Sequence, residues 1–362
     1  MKCLLGLAAF LPVVFIAACG SGDGSGDGSG DGSGDGSGDG GTVVLYSSVD
    51  GYVLREMIEA FEAERGIKVE LVGDTEATKT TGLVERLLAE RDDPVAHVWW
   101  SSEPFGTIRL SRERVLEPFT PSSSRVFARG WPEPLTGEAE MWYGFGQRAR
   151  VIAYHTDVLT EDTAPVTLAA FASEAWRGRV GIADPRFGTT RGHFAALLEL
   201  WGEEAFTAWL AALGNDARVR VYPGNASVVQ AIRNGEIDAG LTDTDDVWHA
   251  QRNGWPIGLV YEAADDGARP PSPGPLLLPN TAGIVAGHSS INPAANELLD
   301  WILSARCEEM LAESDSRNIP IFPSVQAAHP DLRPDPVWEP DLGTAADRVE
   351  RAMELVSELL LD

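Results

Sequence analysis

The stretch Thr42-Val-Val-Leu-Tyr46-Ser-Ser-Val-Asp50-Gly51 decides the fold. A short apolar run of strand type ends in a polar turn. Behind the turn, Leu54, Met57, Ile58 and Phe61 recur at helical spacing, and Gly66 stands where a left-handed helix end is wanted. Ile67, Val69 and Leu71 then alternate with polar residues, as a strand does. Strand, helix and strand within about thirty residues form a βαβ unit, so the sheet is expected to be parallel.

Working outward, the unit repeats. The polar loop Asp74 to Thr81 enters a helix with Leu83, Val84, Leu87 and Leu88 on one face. His97-Val-Trp-Trp100 reads as a strand and ends in Ser101-Ser102-Glu103-Pro104. In the second half, Val180-Gly-Ile-Ala183 leads into Asp184-Pro-Arg-Phe-Gly-Thr-Thr190 and a helix through Leu200. Val219 to Tyr222 leads through Pro223-Gly-Asn225 to a helix with Val228, Val229 and Ile232. Ala239-Gly-Leu241 leads through Thr242-Asp-Thr-Asp-Asp246 to another. Each loop after a strand is rich in Ser, Thr, Asp and Gly. Such loops gather at the carboxyl ends of strands, where open α/β sheets bind ligands. Helix capping accounts for some of these residues, but not for their clustering in both halves. The expected architecture is α/β with two lobes and a cleft between two rows of polar loops.

The segment before Thr42 has a different character. Met1-Lys2 is followed by an apolar run from Leu4 to Ala18, too short to span the ~30 Å of a bilayer core comfortably and of the length of a secretory signal. It ends Ile16-Ala17-Ala18-Cys19-Gly20, which resembles the bacterial lipobox; that resemblance implies a signal over residues 1–18 and a lipid anchor on Cys19. From there to residue 41 the chain repeats Ser-Gly-Asp-Gly without an apolar side chain. A glycine-rich segment with nothing to bury reads as a tether, with a root-mean-square span of about 25 Å. A calcium-binding Gly/Asp roll would need a large apolar residue in every repeat. With Cys3 and Cys19 assigned to the signal and the lipid, Cys307 is the one cysteine left, so the body is expected to hold no internal disulfide. Cys307 falls in the apolar pattern Leu298, Leu299, Ile302, Leu303, Met310, Leu311 and reads as a packed helix residue.

Of 362 residues, 55 are Asp or Glu against 28 Lys or Arg, a formal charge of −27. Such a surface repels phosphate backbones and excludes a general nucleic-acid binder. Enzyme signatures fail. HExxH, paired Cys/His zinc spacing and G-x-S-x-G are all missing. Gly144-Phe-Gly146-Gln-Arg-Ala149 precedes a strand instead of opening a helix, and so is no dinucleotide fingerprint. Asp243-Thr-Asp245-Asp246 begins like a calcium loop, yet Trp248 and Gly254 occupy its sixth and twelfth places. No cofactor is indicated, and the chain is read as a monomeric binding protein without covalent chemistry. A metal-assisted hydrolase using Asp243, Asp245 and Asp246 is the enzyme alternative.

Several segments in their order and spacing carry a family resemblance. They include Tyr46-Ser-Ser-Val-Asp50, Ala60-Phe-Glu-Ala-Glu-Arg-Gly-Ile-Lys-Val69, Val98-Trp-Trp-Ser-Ser-Glu-Pro104, the run from Gly224 to Gly240, Pro279-Asn-Thr-Ala-Gly283 and Leu311-Ala-Glu-Ser-Asp-Ser-Arg-Asn-Ile-Pro320. From about Val43 to Val325 the chain resembles a solute-binding lipoprotein of a bacterial ABC importer, in the ferric-ion-binding branch of the type II periplasmic binding fold. The resemblance implies an extracytoplasmic protein, membrane-anchored by its lipid, that closes around a small molecule or ion and hands it to a membrane permease. It implies one lobe from residues 42–147 and 277–362 and a second from residues 148–276, joined by crossover strands near 149–154 and 276–286. One departure matters: ferric members commonly follow the Ile-Asp-Ala-Gly strand with paired tyrosines, whereas here Leu241-Thr-Asp-Thr-Asp-Asp-Val-Trp248 has none, and Asp50 stands where relatives often carry His.

Two ligand classes follow. Asp50, Glu103, Asp243, Asp245 and Asp246 can form a hard-oxygen cage for Fe(III) or another cation. Alternatively Ser47, Ser48, Thr80, Thr81, Thr189 and Thr190, with Thr244 and helix N-terminal amides, can take an oxyanion, a phosphonate or a zwitterion, balanced by Arg148, Lys79 and Arg191. Five carboxylates seldom share one cleft without neutralisation, which favours the small polar or anionic ligand. A ligand-sensing lipoprotein of the same fold is the remaining possibility.

Overall fold

The computed structural model describes residues 41–74, 80–265, 267, 269–288 and 290–361. Of the signal and tether expected over residues 1–41, residues 1–40, Cys19 among them, lie outside the described residues, as does Lys79. Among those described, no helix is long and apolar enough to cross a membrane.

In chain order the first lobe opens with β1 (Thr42–Ser47), α1 (Gly51–Arg65), β2 (Lys68–Gly73), α2 (Thr81–Ala89), β3 (Val98–Ser101), α3 (Pro104–Arg112) and β4 (Leu116–Glu117). The long β5 (Tyr143–His155) leads to α4 (Leu168–Phe171), β6 (Val180–Ala183), α5 (Gly188–Asn215), β7 (Arg220–Tyr222), α6 (Asn225–Arg233), β8 (Ala239–Asp243), α7 (Thr244–Arg252) and β9 (Ile257–Tyr261). The return strand β10 (Leu277–Val285) is followed by α8 (Pro293–Ile302), α9 (Ala305–Glu313), α10 (Pro323–Ala328), α11 (Leu342–Ala346) and α12 (Val349–Val356).

The strands run β2-β1-β3-β10-β5-β8-β6-β7. Within each lobe the βαβ strands are parallel, as the sequence requires: β1 with β2 and β3, and β6 with β7 and β8. β10 and β5 are antiparallel to their neighbours and carry the chain between lobes. The first half of β5 pairs with β10, at Tyr143 to Ala149; its second half, from Arg150, pairs with β8 and β9. Trp99 and Trp100 are fully buried lobe packing, with Trp99 Nε1 donating to Thr107 Oγ1 at 2.7 Å. Cys307 is a buried free thiol on α9.

The crossing is clamped by a buried carboxylate. Glu308, 1% exposed, accepts from the amides of Gly146 on β5 (2.9 Å), Ile321 (2.9 Å) and Phe322 (2.8 Å). Gly146 has φ +45° and faces Leu311, which leaves little room for a Cβ. At the chain end α11 packs on both α3 and α5, and α12 packs on α5, with Arg348–Glu199 and Arg351–Glu203 ion pairs along it. This arm is amphipathic and follows the nearest apolar surface, which is that of α5.

Burial lifts Glu308 to about 7 and Glu262 to about 8, against an ordinary 4.5. Each therefore favours the folded state fully below pH ~4.5, and that contribution is lost as pH rises through its folded value. Glu62, Glu64 and Asp341 are shifted down, Glu62 and Glu64 chiefly by side-chain hydrogen bonds from Lys68 and Trp301, Asp341 by the Thr344 amide, and they act in the opposite sense in acid. The melting temperature should peak near pH 5 and fall by several degrees toward pH 8. Glu262→Gln, which keeps an acceptor for Ser272 Oγ, should flatten that decline in thermal melts recorded across the range.

Candidate functional site

The end of β8 and the starts of α7, α5 and α6 meet beside the middle of β5. β8 finishes at Asp243, and α7 starts at Thr244 with Asp245 and Asp246 in its first turn, where the helix dipole favours acids. On β5, Arg148 and Arg150 are two residues apart and project to the same face. α5 brings Thr189 and Thr190 in its first turn, and α6 begins at Asn225.

Asp243 is the centre of this meeting. Arg150 Nη1 lies 2.7 Å from its Oδ1, and Arg148 Nε lies 3.4 Å from its Oδ2. Thr189 Oγ1 and Asn225 Nδ2 donate to Oδ2 at 2.6 and 2.9 Å. Arg150 also donates to Thr189 and Thr190 hydroxyls at 3.2 and 3.3 Å. Burial pushes the Asp243 carboxyl up, but the Arg150 and Arg148 guanidiniums outweigh it and hold it below the usual carboxylate range. Arg148 is likewise desolvated, yet Asp245, Asp243, Asp50 and Asp246 raise it above its ordinary value. Both ends of the cluster stay charged. Arg148 Nη1 reaches Asp245 Oδ2 at 3.6 Å, while its buried Nε makes no hydrogen bond.

Above this floor is a small cavity of about 40 Å³, lined by Asp50 and Ser102 from the first lobe, Arg148, Thr189, Thr190 and Asn225, and the three aspartates of the β8–α7 junction. Water needs roughly 10–15 Å³ of such space, so this cavity has room for an ion with a few small groups. Oxygens of Asp243, Asp245 and Asp246 approach within 4.8 Å of one another. Thr242 Oγ1 orients Asp246 at 3.1 Å. Opposite them are the starts of α5 and α6, whose preceding residues Phe187 and Gly224 make no side-chain cap hydrogen bond. Their first residues line the cavity and give it an anion-favouring wall. Asp184 also lines it but is bound by Arg186 at 2.5 Å.

Of the residues anticipated from sequence, Asp50, Arg148, Thr189, Thr190, Asp243, Asp245 and Asp246 line this cavity. The others are turned to local structure. Ser47 Oγ accepts from the Val49 amide, and Ser48 Oγ sits in a buried hydroxyl group with Thr80, Ser101 and Ser102. Glu103 caps α3, accepting from Phe105 and Gly106 amides at 2.6 and 2.9 Å, and is no cage member. Burial raises Glu103 in spite of those amides. Thr244 Oγ1 accepts from the Ala149 amide at 3.1 Å. Thr80, Thr81, Glu103 and Arg191 line a separate cavity beside α2 and α3. Sequence reasoning missed Arg150 and Asn225. The two-residue spacing from Arg148 was the available signal for the first, and the start of α6 for the second.

Removing one member of a buried ion cluster leaves its partners charged and unpaired, at a cost of about 3–5 kcal/mol. Asp243→Ala should lose stability on that scale in urea titrations, and Asp245→Asn, whose carboxylate meets Arg148 at the longer distance of 3.6 Å, should lose less.

Comparison with known proteins fits this architecture. Residues 56–340 match the model of the bacterial extracellular solute-binding protein family. The major ferric iron-binding protein of Neisseria meningitidis is 29% identical over 208 residues, 58% of this chain and 60% of the relative, so the match spans somewhat under two thirds of that protein's length. The Fe(3+)-binding periplasmic protein of Serratia marcescens is 24% identical over 328 residues, covering 87% of this chain and 89% of the relative. Iron-bound HitA from Pseudomonas aeruginosa superposes with a TM-score of 0.71 at 22% identity over 88% of this chain and 99% of that one, a likeness of fold. The chain belongs to the bacterial extracellular solute-binding proteins, and within the type II periplasmic binding fold its likeness is to the ferric-ion-binding branch.

Proposed function

We propose that the protein is the extracytoplasmic solute-binding component of an ABC importer and that its cargo is an oxygen-seeking metal cation, ferric iron foremost. This reverses the order suggested by residue types, which put a phosphonate, oxyanion or zwitterion first. The observation that carries the metal reading is the convergence of Asp243, Asp245 and Asp246 oxygens within 4.8 Å, in a cavity of about 40 Å³. The names of the Neisseria and Serratia relatives add to it. Asp243 is engaged by two arginines, so Asp245, Asp246 and Asp50 from the other lobe are the ligands to the cation in this reading. Carboxylate oxygens stand in for the tyrosine pair missing from Leu241 to Trp248. A hard trivalent or divalent cation suits such donors. Closure around it joins Asp50 of one lobe to Asp245 and Asp246 of the other, so affinity comes from both lobes together. The lobes themselves we draw at residues 42–147 and from 277 onward, against 148–276. Release to a permease and anchoring through Cys19 complete the proposal.

The second reading keeps an anionic solute on Arg148 and the uncapped starts of α5 and α6. It is favoured by the unbonded Arg148 Nε and by the absence of side-chain caps on both helices.

Equilibrium dialysis of the chelator-stripped protein against ferric citrate, calcium, magnesium and methylphosphonate separates the two. The metal reading expects one ferric ion per chain, and Asp245→Asn with Asp246→Asn should weaken it by at least about 100-fold, since two charged ligands at about 2–3 kcal/mol each are removed. Retention of methylphosphonate alone, with loss on Arg148→Ala, would establish the anion reading instead.

A further inference from the structure

The lobes also touch outside the cavity. Asp50 enters the cavity from the first lobe and Asp245 and Asp246 from the second; like charges brought together across a cleft repel, and the Arg148 guanidinium among them offsets part of that repulsion. Contacts elsewhere add to closure. On one flank the lobes meet at Gly192 of α5, where the Phe105 ring of α3 lies so close that an added Cβ would be 2.1 Å from it. That contact is apolar and shape-dependent.

The other flank is built differently, and all of it rests on α7. One turn beyond Asp245 and Asp246, His249 stacks on Tyr52 of α1, with ring centroids 4.5 Å apart. Asp315 faces the same helix: its Oδ1 lies 3.1 Å from Arg252 Nε, and its Oδ2 lies 3.5 Å from His249 Nδ1. The Arg317 guanidinium covers the Trp248 ring at 5.0 Å. α7 packs on β5, β8 and β9 of the second lobe, whereas α1 and α9, which frame these partners, pack on each other. The segment bearing Asp315 and Arg317 is fixed to the crossing, since Asn318 Nδ2 donates to the Gly146 carbonyl at 3.2 Å and Ser316 Oγ donates to Asn318 Oδ1 at 2.8 Å. Arg317 itself is held at φ 45°, in the left-handed region that a non-glycine residue adopts under constraint. It also pairs with Asp331 at 2.7 Å, which fixes its head over the indole.

We infer that Trp248, His249 and Arg252 of α7, with Tyr52, Asp315 and Arg317 opposite, form a latch that holds the lobes closed independently of the cargo. One helix thus carries two functions in sequence. Its first turn meets the cargo, and its later turns fasten the cleft. The latch opposes carboxylate repulsion in the empty protein and adds to cargo affinity in the loaded one. It is a set of positioning residues; none of the six lines the cargo cavity. This assignment uses the metal reading only for the identity of the cargo.

The experiment is small-angle scattering on the chelator-stripped full chain, paired with the rate at which a chelator removes ferric ion from the loaded chain. The variants are Asp315→Ala with Arg317→Ala, and the charge exchange Arg252→Asp with Asp315→Arg. The latch expects a larger radius of gyration for the empty double-alanine variant than for wild type. It also expects ferric loss about tenfold faster, from one exposed ion pair and one cation–π contact. The charge exchange should return both toward wild type, which a general loss of folding would not do. Identical scattering of empty wild type and double-alanine variant would overturn the latch, whatever the metal does. Should wild type hold no ferric ion, the metal reading falls while the scattering comparison still decides the latch.

Discussion

The ion cluster of Asp243 with Arg150 and Arg148 is the constraint on which the site rests. Water is excluded there, so each charge depends on the geometry of the others. That geometry fixes where β5 crosses β8 and where α5 and α6 begin. β5, α5 and α6, distant from one another in sequence, are registered against one carboxylate at the β8–α7 junction. Because Asp243 is bound on both oxygens, it serves as the floor, and Asp50, Asp245 and Asp246 line the cavity beside it. This division answers the difficulty of several acids in one cleft: they are partly neutralised from beneath.

A cavity with an acidic side and two helix starts opposite is polar in a directional sense. A cation on Asp245 and Asp246 would sit within reach of Arg148 and the α5 wall, so its remaining coordination positions would face groups that favour oxyanions or water. The same arrangement disfavours a bare monovalent cation, whose charge is too small to offset the desolvation of the acids around it. The tyrosine pair that the family resemblance implies has no counterpart from Leu241 to Trp248, while the architecture that presents polar loops is kept. Fold and donor set vary separately here, as is common when sites are grafted on a shared scaffold.

Much of this was legible in the chain. The βαβ periodicity from Thr42 to Leu71 and its recurrences forecast both lobes, since apolar spacing reports directly on burial. Asp243, Asp245 and Asp246 were legible because they fall between a strand and a helix. What could not be read is the direction in which loop side chains turn. Ser48 and Glu103 have the same residue types and positions as cavity-lining groups, yet satisfy nearby amides and hydroxyls instead. Capping and binding draw on one chemistry, and only the tertiary arrangement separates them. The arm beyond Asp341 was also illegible, because an amphipathic helix does not encode which apolar surface it will meet. Arg150 was within reach: alternation along β5 places it beside Arg148.

Cys307 has a practical consequence. It is sealed in α9, and burial, with Glu308 beside it, lifts its thiol well above the ordinary range. A thiol so rarely ionised neither couples to a partner nor reacts readily. The body beyond residue 41, whose one cysteine is Cys307, therefore needs no disulfide to form in either a reducing or an oxidising medium. A single cysteine introduced on its surface would be the one handle there open to maleimide dyes or spin labels.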